Sequence, residues 1–222
     1  MTVLHLADEG EAADLAAFLS RLLHYDRGAA VRLQAAGTAL AVFGRPPSFE
    51  VLAIRAVRLA KPYENGLDVT LDVTVSAGEL LESVDESAAT AVVPDAVTGP
   101  PWAGVLPPRG GWRPVPGLPA PDALRAMIGS GVAEFRSRTQ ELAEERRTRA
   151  ELDRIGREIW SRTVGDTRLP VRAVHAAQSL GFLRATGELA LLSSGAWLRL
   201  RTPYGSIAVR RAGFGALDVS VR

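Results

Sequence analysis

The residues with the clearest chemical potential are arginines and polar neighbours late in the chain. Between 171 and 183, Val171, Val174, Ala177, Leu180 and Leu183 keep the spacing of a buried helical stripe. Arg172, His175, Gln178 and Ser179 lie off that stripe, and these side-chain types can meet phosphates or base edges in a duplex major groove. Farther on, Trp197, Arg199 and Arg201 alternate with Leu198 and Leu200, so a strand would hold the arginines on one face and the leucines on the other. Thr202-Pro203-Tyr204-Gly205 has turn chemistry, with proline second, and the return strand ends on Arg210 and Arg211. Arginines so placed contact backbone phosphates, which gives affinity without sequence reading. The plain alternative is a structural cap whose arginines pair with acidic residues elsewhere in the chain.

The rest of the chemical inventory is thin. His5, His24 and His175 are the only histidines, and no two have metal-ligand spacing. The chain has no cysteine, which removes thiol nucleophiles, thiolate metal sites and disulfides. Asp68 and Asp72 share a period-2 face with Thr70 and Thr74, an oxygen-rich patch, but any one-sided sheet produces that alternation, which favours a plain solvated strand face over a metal site. Gly129-Ser130-Gly131 follows a helical pattern rather than a strand and lacks the Gly-Lys-Ser/Thr of a phosphate loop. No Gly-x-Ser-x-Gly, Gly-x-Gly-x-x-Gly or His-Glu-x-x-His occurs. This inventory favours a non-enzyme with no catalytic residues, no metal and no cofactor.

Composition bounds the rest. A chain of 222 residues, 47% hydrophobic and 23% charged, is long enough for one domain or two small ones. The start lacks the basic and apolar regions of a signal peptide, and no run approaches the roughly 20 apolar residues of a membrane span, so a cytoplasmic protein is expected. Charge is unevenly distributed: residues 1–100 hold 7 Lys/Arg against 14 Asp/Glu, whereas 101–222 hold 19 against 11. Opposite-signed halves suggest modules with different partners, or modules that attract each other.

The elements that would position these residues fall into three parts. In 1–91, Asp8 and Glu11 cap a predicted helix over 9–25, four β-rich runs follow, and Ser76 with Glu79 opens a short helix, giving an antiparallel sheet with flanking helices. In 92–121 lie nine of the 14 prolines, a connector expected to be extended and pinned to a surface by Trp102 and Trp112. In 122–222, a helical stretch, either one helix or two broken near Gly129 to Gly131, runs to about 163, then a helix, a short strand and the arginine-bearing hairpin follow, and 217–221 reads as a last strand. The order over about 155–211 resembles the second half of a winged helix, an order-of-elements match without a sequence motif.

Together these readings predict an α+β protein with an N-terminal sheet, a proline-rich connector, a helical segment and a C-terminal winged-helix-like module. The function expected from them is a cytoplasmic regulator that binds duplex DNA through the helix and hairpin, with the acidic N-terminal domain available for self-association or a protein partner. The alternative is a protein-interaction or scaffold protein without nucleic-acid contact.

Overall fold

The computed structural model describes residues 2–60, 71–184 and 187–211. The predicted strand over 67–75 is therefore described only from 71, and that over 217–221 lies outside the described residues, as does Asp68.

The N-terminal half begins with β1 (Val3–His5) and α1 (Glu9–Tyr25). The Asp8 carboxylate accepts from the Glu11 amide at 2.9 Å, which satisfies one of the helix's unpaired amides. Its apolar stripe, Leu15, Phe18, Leu19 and Leu22, is fully buried. A meander follows: β2 (Ala30–Ala36), β3 (Ala39–Gly44) and β4 (Leu52–Arg58). Helix and meander touch closely at Gly44, where a Cβ would come within 2.4 Å of the Leu22 side chain. β5 (Asp72–Ser76) pairs antiparallel with β2, α2 (Ala77–Glu82) follows from the Ser76 cap, and β6 (Thr90–Val92) pairs with β1 in a two-stranded sheet.

The C-terminal half repeats that plan. After β7 (Arg113–Pro114), α3 (Pro121–Gln140) and α4 (Arg149–Trp160) form an antiparallel hairpin tied by Arg138 to Glu158 at 2.8 Å. Helix α3 runs unbroken through the two glycines. At Gly131 a Cβ would lie 2.8 Å from the Trp160 ring, so glycine there admits the indole between the helices. Next come α5 (Val171–Ser179) and a second meander, β8 (Ala190–Ser194), β9 (Trp197–Thr202) and β10 (Gly205–Arg210).

The two meanders join. β10 pairs antiparallel with β4, placing Ser206 opposite Ile54 and Ala208 opposite Leu52, and the result is one eight-stranded sheet in the order β5-β2-β3-β4-β10-β9-β8-β7. Each half thus supplies a helix followed by three strands, and the third strands meet in the middle.

This architecture corrects the expected fold class. Among the described residues the N-terminal strands β2 to β5 form no sheet of their own but join the C-terminal strands, and there is no winged-helix-like module, because the arginine-bearing hairpin is interior to a sheet rather than a wing. The physical reason lies in burial on both faces: Leu52, Ala53 and Ile54 on β4, and Ile207, Ala208 and Val209 on β10, are all nearly inaccessible. A solvent-facing hairpin alternates, whereas a strand buried on both sides reads as a continuous apolar run.

The proline-rich segment crosses the sheet. Val97 donates to the Thr74 carbonyl at the β5 edge, the Trp102 ring packs with Phe43, Leu52, Ile54 and Ala208, and Val115 donates to the Leu191 carbonyl near the β8 edge. Trp112 Nε1 donates to the Pro108 carbonyl at 3.0 Å, and its ring lies 5.7 Å from the Arg199 guanidinium carbon. We call this segment the strap. The opposite face is covered by α1, α2 and α5 over one continuous core.

Candidate functional site

Two cavities and several of the candidate arginines lie at one end of the sheet, where β4 begins and β10 ends. A short 3-10 turn, Pro47–Phe49, leads into Glu50, whose backbone is left-handed at φ 51°. A non-glycine residue there carries a conformational cost that its surroundings must offset. Glu50 Oε2 lies 4.0 Å from Arg172 Nε on α5.

Two cavities flank this end, and Arg210 lines both. The first, about 330 Å³, opens on the strap face. Trp102 and Val105 of the strap face Trp197 of β9 across Leu52 and Ala208, with Arg45, Glu50 and Arg210 at the rim. Val105 is 47% exposed, among the most accessible large apolar side chains of the described residues. The second, about 620 Å³, opens on the helix face between the loop entering α5 and the ends of β9 and β10.

The residues singled out from the sequence are divided between these surroundings. Arg172, Arg210 and Arg211 are brought together around the second cavity. Arg199 and Arg201 project to the strap face, opposite Leu198 and Leu200 in the core, as the alternation predicts. Arg201 is exposed, while Arg199 is half-buried beside Trp112. Burial first, and then the Arg201 charge, lower the Arg199 pKa from its ordinary value, though a guanidinium remains protonated throughout the accessible range. His175 is wedged between Trp160, at 4.4 Å between ring centroids, and Phe49, at 5.1 Å, and burial lowers its pKa. Gln178 is exposed on α5, and Ser179 is half-buried at that helix's end.

Pairing with the acidic half runs through arginines the sequence reading passed over. Arg55 is 5% exposed, yet it donates to Glu11 at 3.0 Å, Asp14 at 3.2 Å and the Tyr204 carbonyl at 2.7 Å. Arg184 donates to Asp14 at 2.8 Å and lies 4.1 Å from the Tyr204 ring centroid. Arg168 and Arg45 were missed as cavity residues. Arg168 carried a readable signal, since it stands four residues before Arg172 across the start of α5.

No helix among the described residues is long and apolar enough to cross a membrane. Residues 1–104 match a family described as Domain of unknown function (DUF8010), and residues 107–214 match another described as Domain of unknown function (DUF8185). No curated protein matches the sequence. Among solved structures, the chain is similar to a DNA polymerase sliding clamp from Pseudomonas aeruginosa, with 12% identity and a TM-score of 0.51 over 98% of this chain and 66% of the clamp. A second structure of a Pseudomonas aeruginosa sliding clamp, with ligand, gives 14% identity and a TM-score of 0.52 over 95% of this chain and 65% of the clamp. The chain therefore spans just under two thirds of the length of each. The likeness is one of fold: a large antiparallel sheet with helices, resembling sliding-clamp domains and not a winged helix.

Proposed function

We propose that the chain is a binding protein rather than an enzyme, a scaffold that docks a short apolar, carboxylate-bearing segment of a partner protein in the groove beneath the strap. The observation that carries this is the groove itself, two tryptophans and an exposed valine over an apolar floor, rimmed by Arg45 and Arg210. Tryptophan and arginine dominate binding energy at protein interfaces, and a rim with two arginines against Glu50 favours an acidic neighbour to the apolar anchor. The fold shared with DNA polymerase sliding clamps supports a clamp-like or protein-binding role. It also overturns the expected regulator with a winged-helix DNA-binding module, whose hairpin is here the middle of a sheet. The proposal includes a cytoplasmic location.

The test is titration of the full chain, followed by tryptophan emission, with short peptides holding a leucine or phenylalanine anchor flanked by Asp and Glu or by Lys and Arg. The acid-flanked set is expected to bind, Trp197→Ala to weaken binding by about 2 kcal/mol or more, and Arg210→Glu to weaken it through charge. Absence of binding by every peptide, or indifference to Arg210→Glu, overturns the reading.

A further inference from the structure

The second cavity has a different chemistry from the groove. Arg168, Arg172, Arg210 and Arg211 line it over a floor that includes Leu198 and Val209, and no carboxylate lines it among the described residues. Like charges so gathered repel unless a counter-charge sits among them. The nearest carboxylate to Arg172 is Glu50 in the neighbouring groove, at 4.0 Å the outer limit of an ion pair. Arg172 Nε is buried without a hydrogen-bond partner among the described residues. The Arg172 side chain is still 27% exposed, and Glu50 at 4.0 Å is a weak counter-charge, so its guanidinium remains open to an added anion.

The wall bearing Arg168 is held in place before any ligand comes. Val164 donates to the Leu169 carbonyl at 2.8 Å, and Val171 donates to the Arg162 carbonyl at 2.8 Å, closing the loop at its base. Inside it, Thr167 Oγ1 donates to the Val164 carbonyl at 2.6 Å and accepts from the Leu169 amide at 3.2 Å. On the facing wall Arg211 Nη2 donates to the Gly195 carbonyl, which orients its fork. Ser161 and Thr163 add hydroxyls to the same lining. Planar guanidinium forks match phosphate oxygens two at a time, and hydroxyls complete such a shell.

We propose that this cavity binds a small molecule carrying two or more adjacent phosphates, such as a nucleoside diphosphate, with the phosphates on Arg168, Arg172 and Arg211. The volume, about 620 Å³, lies within the span of small-molecule sites, and the apolar floor suits an organic portion. A concave basin walled on both sides favours a compact anion over a continuous polymer backbone. The site goes beyond the groove reading and shares only Arg210 with it, so the test leaves Arg210 untouched.

Isothermal titration of the full chain with pyrophosphate, ADP, adenosine and a mixed duplex DNA separates the sources. Pyrophosphate and ADP are expected to bind, more weakly as salt rises, and adenosine is expected not to. Arg172→Gln and Arg168→Gln should each lower affinity for pyrophosphate by about tenfold. Arg168 is exposed, so its variant folds and keeps the test decisive should Arg172→Gln lower stability. Peptide binding in the groove should be unchanged in Arg168→Gln. No binding of pyrophosphate or ADP up to about 1 mM, or binding by both arginine variants as tight as by the unsubstituted chain, overturns the proposal. Duplex DNA that displaces ADP and loses affinity in the same variants overturns it too, in favour of a polymer site.

Discussion

The two faces of the eight-stranded sheet are built from the same strands and do different work. On the helix face, α1, α2 and α5 bury a continuous core including Phe18, Leu33, Leu40, Leu200 and Ile207, all at most 1% exposed. On the strap face the buried cluster is Phe43, Leu52, Ile54 and Ala208, with Trp102 and Trp197 only partly covered. Helices cover a sheet with broad side-chain stripes, whereas an extended, proline-rich segment covers it with single rings and leaves gaps between them. Stability is therefore concentrated on one side and accessible apolar surface on the other, an arrangement that lets the strap face vary without endangering the core.

Substitutions should sharpen this contrast. The largest expected effect is on the helix face: Phe18→Ala should cost about 3–5 kcal/mol in chemical denaturation, as for other buried aromatics. Trp102→Ala, on the strap face, should cost about 1–2 kcal/mol, because its ring is already partly in water. Equal losses would show that the strap is as integral as the helices. Between these extremes stands the seam. Arg55→Ala should cost about 3 kcal/mol, the lower end for breaking a buried ion pair, because Glu11 keeps Arg58 and Asp14 keeps Arg184. Arg55→Met, which removes the charge and keeps the bulk, should lose less; if it loses as much as alanine, the ionic contacts are decisive rather than the packing.

The smallest effect belongs to pH. Burial lowers the His175 pKa below its ordinary 6.5, so the unfolded chain takes up a proton more readily than the folded one. Its contribution is then fully present above pH 6.5 and is lost as pH falls from there toward the lowered folded value. His175→Phe should flatten that acid-side decline in melting temperature. An unchanged decline would assign it to other groups.

Local pattern reached some of this architecture and stopped at a definite point. The Asp8 cap and the Leu15 to Leu22 stripe specified α1, and period-2 alternation put Arg199 and Leu198 on opposite faces of β9. Alternation says which face a side chain takes, but not which strand lies alongside. A helix followed by a short strand and a hairpin has the same local signature whether the hairpin is a free wing or the centre of a sheet. The clue that decides between them is the continuous burial of Leu52 to Ile54 and of Gly205 to Val209. The groove and the arginine basin were illegible for a related reason, since the groove gathers residues from the strap and both meanders, and the basin joins the loop before α5 to the second meander. The repeated plan of helix and meander leaves no repeat in sequence, because only the burial pattern is shared.

The junction of β4 with β10 also sets the order in which the chain can acquire its shape during synthesis. β4 is complete at Arg58, but its partner ends at Arg210. At roughly 5–20 residues per second, the ribosome needs on the order of 10–30 s to supply that partner. Through this interval the N-terminal meander presents an unpaired apolar edge, the kind of template on which nascent chains join the wrong neighbour. Closure between segments so distant in sequence is also intrinsically slow. A cell making this protein must therefore keep a half-finished sheet from meeting others like it until the last described strand arrives.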